Sequence, residues 1–259
     1  MMNILITGAA GKIGRDLSQH LSEAFHLRLT DLNIDRLHTY SGTGHEIMAL
    51  DVTDPEACQQ ACEGMDVVVH LAGDPSPHAG FYESLLDINI KGTFNVFRAA
   101  KDQGVRRVIL ASSAQTIEGY SIDAQIYPDM PTRPRNLYGV SKCFGESLAS
   151  YFAYTEGLQS VAIRIGAYDD FQPDGPPLEA RDMSAYISPV DLCDLVFKSI
   201  IATDLEPFTI LHGISNNRFK RLNLEATQKQ VGYDPKSDAF ALSQISLYDT
   251  PRFVPPSSS

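Results

Sequence analysis

The chain has 259 residues, of which 43% are hydrophobic, and its formal net charge is −11 at pH 7. This length suits one α/β domain, or a large domain with a small appendage, whose core needs neither metals nor disulfides. The acidity argues against non-specific binding of nucleic acid, which depends on clustered Lys and Arg.

The first predicted element is a strand, a tight turn and a helix over residues 4–15. Gly8, Gly11 and Gly14 follow a short apolar run at a three-residue spacing and open a helical pattern. Glycines let the backbone approach a pyrophosphate, and the free N–H groups of a helix N-terminus attract an anion. A glycine triplet alone is equally typical of an ordinary strand-to-helix turn, so the residues that follow decide its meaning.

The second predicted strand, residues 27–31, ends in Asp31. An acid at this point of a dinucleotide-binding unit accepts hydrogen bonds from the adenosine ribose and repels the extra phosphate of NADP. Leu32 follows it, and the nearest candidate to receive that phosphate, Arg36, is more simply an exposed helix charge. The sequence therefore favours NAD over NADP.

Strand and helix patterns alternate along the rest of the chain. Further strands are predicted at residues 46–50, 66–73, 107–111, 161–165 and 208–211, and long helices at residues 83–101 and 137–154. Asp54 and Pro55 are typical of a helix start. The alternation predicts an α/β fold with a Rossmann-type, doubly wound parallel sheet of about seven strands.

Two polar residues stand within apolar patterns near the predicted carboxyl edge of the sheet. His70 lies inside the fourth strand, and we interpret it as a hydrogen-bonded core histidine. Asn89 lies in helix 83–101, where it is either a buried amide bonded to backbone or a bridge toward the active site. Between them, the loop 74–80 is placed where open α/β sheets bind their ligands.

Tyr138 and Lys142 are four residues apart, on one face of the predicted helix 137–154. An ammonium near a phenol stabilises the phenolate and lowers its pKa, and such a tyrosine can take a proton from a sugar hydroxyl. Ser113, at the end of a neighbouring strand, could hydrogen-bond the same oxygen. A Tyr/Lys pair at this spacing also occurs by chance, but here it accompanies the glycine turn and Asp31.

This combination resembles the extended short-chain dehydrogenases/reductases, the NAD-dependent epimerase/dehydratase superfamily. Within that superfamily the chain is most similar to the uronate dehydrogenases, at residues 111–117, 137–146 and 164–166 and in the spacing of Arg181, Ser184 and Ser188. The resemblance implies an NAD-binding domain over residues 1–165, which carries the catalytic helix. It also implies a small substrate-binding part over residues 166–259, partly interleaved with the first.

The resemblance further implies roles for individual residues. Catalysis would be carried by Ser113, Tyr138 and Lys142. The cofactor would contact Gly8, Gly11, Lys12, Ile13, Gly14, Asp31, Asp51, Val52, Leu71, Ala72, Gly73, Asn89, Tyr138, Lys142 and Ile165. The substrate would contact Ser76, Ser113, Gln115 and Arg181. A guanidinium fork suits a carboxylate or a phosphate, although an ion pair with Glu179 or Asp182 is the simpler interpretation of Arg181.

Three departures from the uronate dehydrogenase pattern concern the substrate. Ala114 and Gln115 stand where that family has Asn and His, and Ala167–Tyr168 replaces a serine. Residues 218–221 occupy the region of a Trp-Trp-Asp segment. Uronate as the substrate therefore does not follow, and a related aldose, or a sugar phosphate held by Arg181 and the basic segment, stays open.

Three functions remain to be compared. The first is an NAD-dependent dehydrogenase that oxidises the anomeric carbon of a uronate, a related aldose or a sugar phosphate to a lactone. The second is a sugar epimerase or dehydratase that retains its NAD; Ala114 and Gln115 supply none of the acids that dehydratases need. The third is a non-catalytic NAD-binding protein, which the Ser113/Tyr138/Lys142 set disfavours.

The cysteines and the hydropathy pattern concern the setting of the protein. Its four cysteines form no CxxC pair and have too few neighbouring ligands for a metal, so we expect reduced thiols and no metal site. We see neither a signal peptide nor an apolar run of membrane-spanning length. We therefore expect a cytoplasmic protein with no nucleic-acid or membrane partner, and the resemblance adds the expectation of a homo-oligomer.

Overall fold

Seven parallel strands form one sheet in the computed structural model, which describes residues 1–169 and 178–243. Together with two short strands outside that sheet, the strands of the described residues are β1 (Asn3–Thr7), β2 (His26–Asp31), β3 (Glu46–Ala49), β4 (Val67–His70), β5 (Arg107–Ser113), β6 (Gln159–Ile165), β7 (Ala167–Tyr168), β8 (Tyr186–Ile187) and β9 (Phe208–Gly213). The sheet order is β3-β2-β1-β4-β5-β6-β9, and β7 pairs with β8 separately. The predicted doubly wound parallel sheet is thus confirmed.

Helices connect the strands on both faces of the sheet. They are α1 (Lys12–Leu21), α2 (Pro55–Cys62), α3 (Thr93–Asp102), α4 (Leu137–Glu156), α5 (Ala180–Ala185), α6 (Pro189–Ile201), α7 (Glu225–Val231) and α8 (Ala239–Leu242). Short 3₁₀ turns cover Asp35–Tyr40 and Ala114–Ile117, and a π-helical segment covers Phe81–Gly92. The connections leave the carboxyl ends of the strands free at one edge.

Local capping explains where several helices begin. The Asp54 carboxylate accepts hydrogen bonds from the backbone of Glu56 at 2.9 Å and Ala57 at 3.2 Å, which confirms the predicted start of α2. At α4, the side chain of Asn136 accepts from Gly139 N at 2.7 Å. These bonds satisfy N–H groups that the first helical turn leaves unpaired, so the start of the catalytic helix is held by its own sequence.

The core lies on both faces of the sheet, because successive strand residues point to opposite sides. Ile4 and Ile6 of β1 are fully buried with the helices α1 and α6, whereas Leu5 is buried with α3. His70 is also buried; its ring nitrogens lie 2.8 Å from Thr7 Oγ1 and 3.3 Å from Thr93 Oγ1. Its interpretation as a hydrogen-bonded core residue is confirmed.

Two predicted elements differ in detail from the structure. The predicted helix 83–101 is π-helical over Phe81–Gly92 and α-helical only from Thr93. Apolar residues that recur about every 3.6 positions do not distinguish a π-helix from an α-helix over so short a length. The apolar run 66–73 is a strand only over Val67–His70, and residues 71–73 line the cleft described below.

The expected division near residue 165 stays a prediction. β9 lies beyond that position and pairs with β6 in the main sheet, while residues 170–177 and 244–259 of the expected second part lie outside the described residues. In the part of the chain that the structure describes, none of the helices combines the length and the apolar character needed to cross a bilayer.

Candidate active site

A cleft of about 680 Å³ opens at the carboxyl edge of the sheet, above the point where β1 and β4 separate the two halves. In doubly wound folds, ligands bind at such a reversal of strand order. The cleft brings together most of the predicted site residues: Gly8, Gly11, Lys12, Ile13, Gly14, Asp31, Asp51, Val52, Leu71, Ala72, Gly73, Ser113, Gln115, Tyr138, Lys142 and Ile165.

The glycine turn forms the floor at one end of this cleft. Gly8 has φ +70°, and a Cβ there would lie 2.8 Å from the backbone nitrogen of Ala72. A Cβ on Gly14 would lie 2.3 Å from Gly8 O. A side chain at either position is therefore excluded by backbone that cannot move aside. What remains is an open cradle at the N-terminus of α1, which fits a pyrophosphate.

Asp31 closes this end of the cleft at the tip of β2. One carboxylate oxygen accepts a hydrogen bond from Ala10 N at 3.0 Å, which fixes the carboxylate against the glycine turn. Asp51 and Val52, after β3, line the same end. An acid held here fits ribose hydroxyls, and the described residues at this end therefore suit the adenosine half of NAD.

Asn89 occupies a supporting position instead of lining the cleft. Its amide accepts a hydrogen bond from Asp74 N at 2.8 Å and donates to Asp74 O and Ser141 Oγ, both at 3.1 Å. Both ends of the buried amide are hydrogen-bonded, and the side chain braces the loop after β4 against α4. The predicted contact of Asn89 with the cofactor stays a prediction.

The predicted catalytic residues meet at the other end. Ser113 ends β5, and Tyr138 and Lys142 line the cleft from α4. Lys142 Nζ donates to Ala111 O at 2.8 Å and lies 5.6 Å from the centroid of the Tyr138 ring. This places a phenol, an ammonium and a hydroxyl in one cavity, which is the set needed to move a proton from an alcohol.

The pKa values of this pair differ from the sequence-based expectation. Burial raises the pKa of Tyr138 above its usual 10.0; the Ser113 hydroxyl opposes this shift and Asp74 adds to it. Burial also lowers the pKa of Lys142 to about 8. Burial is the largest cause of both shifts, because a low dielectric disfavours the charged form of each group.

Behind the catalytic residues, a buried ion pair joins α4 to the sheet. Arg164 of β6 donates to both carboxylate oxygens of Glu146, each at 2.9 Å, and Ser112 Oγ donates to one of them at 2.6 Å. Tyr138, Lys142 and Glu146 are spaced four apart on α4. The ion pair therefore holds the helix face that presents the phenol and the ammonium.

The predicted substrate residues are only partly brought together. Gln115 lines the cleft and accepts a hydrogen bond from Asn136 Nδ2 at 2.9 Å. Ser76 lies outside the lining, where its backbone N–H donates to Asp74 at 3.0 Å. Arg181 also lies outside the lining and forms ion pairs with Glu118, at 2.7 Å, and with Asp182.

The predicted substrate contacts of Ser76 and Arg181 stay predictions, and the structure gives both residues other partners. Ser76 serves the turn after β4, and the guanidinium of Arg181 is engaged by carboxylates. The simpler interpretation of Arg181 as one half of an ion pair is confirmed for Asp182. Glu118 was not foreseen, because it lies 63 residues away in the chain.

Sequence reasoning missed two residues of the lining that matter chemically. Asp74 lines the cleft directly after the run beneath it, and a lone acid at a strand end was the available signal. Tyr168 was noted only as a departure; its hydroxyl bonds Asp16 of α1, and Lys12 Nζ lies 5.3 Å from its ring centroid.

Among residues 1–169 and 178–243, no cluster of three or more His, Cys, Asp or Glu is arranged to hold a metal.

Comparisons with known proteins show which family the chain resembles over most of its length. Residues 4–168 match the model of the NAD dependent epimerase/dehydratase family. The chain is 37% identical to a uronate dehydrogenase of Pseudomonas putida over 216 residues, which covers 83% of this chain and 77% of the relative. It is 34% identical to an NAD-dependent glucose-6-phosphate dehydrogenase of Haloferax volcanii over 251 residues, 91% of this chain and 94% of the relative.

A solved structure gives the same picture at the level of the fold. The crystal structure of uronate dehydrogenase from Agrobacterium tumefaciens superposes with a TM-score of 0.83 at 32% identity. The match covers 97% of this chain and 92% of that one. The similarity thus extends well beyond the glycine turn and includes the region that follows the catalytic helix.

Proposed function

We propose that this chain, which belongs to the NAD dependent epimerase/dehydratase family, is an NAD-dependent sugar dehydrogenase. The reaction we assign is oxidation of the anomeric carbon of a uronate, a related aldose or a sugar phosphate to a lactone. One observation carries the proposal: Ser113, Tyr138 and Lys142 share a single cleft with the glycine cradle and Asp31. The names of the relatives support the class of reaction.

The residues that would hold NAD follow from the two ends of the cleft. The cradle of Gly8, Gly11 and Gly14 fits the pyrophosphate, and Asp31 fits the adenosine ribose. Tyr138 and Lys142, which line the other end of the cleft, would contact the nicotinamide ribose. When bound, NAD supplies the acceptor for the hydride that leaves the sugar carbon.

The chain's own residues would manage the proton. The ionised Tyr138 oxygen accepts the proton of the anomeric hydroxyl, and the Ser113 hydroxyl hydrogen-bonds the same substrate oxygen to hold it in register. The ammonium of Lys142 favours the ionised phenol because opposite charges attract in a partly desolvated cleft. Because burial raises the pKa of Tyr138, that help is needed at neutral pH.

A cofactor-retaining epimerase or dehydratase is the alternative within the same family. A dehydratase requires an acid next to the catalytic hydroxyl, and the residues after Ser113 are Ala114, which is buried, and the amide Gln115. NAD that copurifies with the protein and survives dialysis, without net formation of NADH, would favour the alternative.

The test is a panel of uronates, aldoses and aldose phosphates assayed with NAD and NADP side by side. We expect NADH to form with at least one sugar, and NAD to be preferred because Asp31 repels the extra phosphate of NADP. Tyr138→Phe is the control, which should bind NAD in calorimetry and form no NADH. Absence of NADH across the panel, while the folded protein binds NAD, would contradict the proposal.

We also propose a homo-oligomer in the cytoplasm. In support, α3 and α4 expose the aromatic rings of Phe94, Tyr151 and Tyr154, and large exposed apolar groups are typical of interfaces. All four cysteines are free thiols, as in proteins of a reducing compartment. Light scattering should give a mass well above 28.5 kDa; a single species of that mass would contradict the oligomer.

A further inference from the structure

The charges around the catalytic end of the cleft bear on which sugars it accepts. Among the described residues that line the cleft, Lys12 and Lys142 are the only cations. Lys12 belongs to the glycine turn, and the ammonium of Lys142 is hydrogen-bonded to Ala111 O at 2.8 Å. A carboxylate or phosphate on the substrate would therefore meet no uncommitted cation among these residues.

Asp74 adds a negative charge on the same side. Its carboxylate accepts hydrogen bonds from Ser84 Oγ at 2.6 Å and Ser76 N at 3.0 Å, both neutral donors. None of the ion pairs in the described part of the chain involves it. Its field reaches Tyr138, whose pKa it raises. Asp74 would repel an anionic substituent brought beside the phenol.

Two arginines outside the lining, Arg181 and Arg221, face one carboxylate, that of Glu118. Glu118 Oε1 lies 2.7 Å from Arg181 Nη2 and 3.9 Å from Arg221 Nε. Arg181 also pairs with Asp182, and Arg221 donates to the backbone carbonyls of Tyr120 and Ser121. These two guanidiniums are thus paired with two carboxylates, so this group of four side chains has no net charge.

The position of Glu118 explains how it could act on the substrate site. It directly follows the 3₁₀ turn Ala114–Ile117, whose Gln115 lines the cleft. All three guanidinium nitrogens of Arg181 donate to Glu118 or Asp182, so a substrate anion would compete with these carboxylates.

We infer that the substrate is a neutral aldose, and that Glu118 is a specificity-determining residue that keeps Arg181 away from anionic sugars. This inference rests on the proposed dehydrogenase function and narrows its substrate class. Glu118 touches no reacting atom; it acts by holding the guanidinium of Arg181.

The wild-type protein tests the substrate class with sugars that differ only at C6. D-galactose is compared with D-galacturonate, and D-glucose with D-glucuronate and glucose 6-phosphate. We expect kcat/KM to be at least about tenfold higher for the neutral member, since an unpaired charge would be desolvated next to Asp74. Equal or better use of an anionic member overturns the inference and leaves the dehydrogenase standing. If no sugar yields NADH although NAD binds, the proposed function itself fails.

The variant Glu118→Gln tests the residue. Freed from Glu118, Arg181 should raise the ratio of uronate to neutral kcat/KM by about tenfold or more, mainly through a lower KM for the uronate. Adding Arg181→Gln to this variant should abolish the gain. Glu156→Gln removes the carboxylate that pairs with Arg98 at 2.8 Å on another face, and should leave the ratio unchanged.

An unchanged ratio in folded Glu118→Gln overturns the role of Glu118. If that variant does not fold, Asp182→Asn, which removes the other carboxylate from Arg181, gives the second measurement. The same rise is expected there, and an unchanged ratio in folded Asp182→Asn counts against the inference. If neither variant folds, the comparison of matched sugars on the wild-type protein decides whether the site excludes anionic sugars, and equal use of an anionic sugar overturns the inference.

Discussion

The two ends of the cleft are built from different materials. The nucleotide end is mostly backbone: the cradle of Gly8 and Gly14 and the N-terminus of α1, with the acids Asp31 and Asp51 beside them. The catalytic end consists of side chains from separate segments, such as Ser113 of β5 and Tyr138 of α4. Backbone geometry tolerates few substitutions, whereas side chains can be exchanged without altering the fold. The first end thus suits one constant ligand, and the second can vary its substrate.

The largest expected effect separates the chemistry from cofactor binding. Tyr138→Phe removes the phenol oxygen that we assign to take the substrate proton, so kcat should fall by about 10³-fold. The affinity for NAD should change little, because the glycine cradle and Asp31 are untouched. NADH formation and calorimetric NAD binding measure the two quantities. Activity within tenfold of the wild type would show that the catalytic end does not depend on this phenol.

The next effect concerns the buried ion pair between Arg164 and Glu146, which lies behind the catalytic end. Glu146→Ala leaves the guanidinium of Arg164 buried without its carboxylate, and breaking a buried ion pair costs about 3–5 kcal/mol of unfolding free energy. Urea denaturation measures the loss. Glu156→Ala is the matched control, because its partner Arg98 is about one-third exposed and such pairs contribute about 1 kcal/mol or less. Similar losses in the two variants would contradict the assignment of a structural role to Arg164–Glu146.

A graded pair of substitutions tests the nucleotide end. A Cβ on Gly14 would lie 2.3 Å from Gly8 O, whereas a Cβ on Gly11 would lie 3.2 Å from the same oxygen. Gly14→Ala should therefore weaken NAD binding by about tenfold or more and lower the Tm, since backbone must shift. Gly11→Ala should have a smaller effect on both. The reverse ranking in calorimetry and thermal denaturation would refute the cradle geometry.

The smallest effect is a pH dependence at the catalytic end. The active form needs an ionised Tyr138 and a protonated Lys142, which is one proton fewer than the pair carries at low pH. The pair loses its first proton with the pKa of about 8 that burial gives Lys142. The active form is a fixed fraction of the pairs that have lost one proton, so its population rises with that same pKa. kcat/KM should therefore rise up to about pH 8 and then level off.

Lys142→Met sharpens that prediction. Without the ammonium, the only ionisation of the pair is that of Tyr138, whose pKa burial raises above 10.0. The rise in kcat/KM should then continue into the alkaline range instead of levelling off near pH 8. A pH–rate profile of the two proteins provides the measurement, and identical profiles would show that Lys142 does not titrate in the free enzyme.

The sequence by itself determined the nucleotide end and the position of the catalytic residues. Gly8, Gly11 and Gly14 act within one strand–turn–helix, and Asp31 stands at the next strand end, so local order places them. Tyr138 and Lys142 share a helix face because four residues make about one turn. These relations depend on neighbours in the chain, and the cleft contains all of them.

Only the tertiary structure decided what surrounds the substrate. Glu118 meets Arg181 across 63 residues, and the amide of Asn89 bonds Ser141 across 52. The pKa of Tyr138 depends on burial and on Asp74, which the helical spacing to Lys142 does not reveal. Charge pairing and desolvation are set by distances through space, and a one-dimensional pattern carries no such distances.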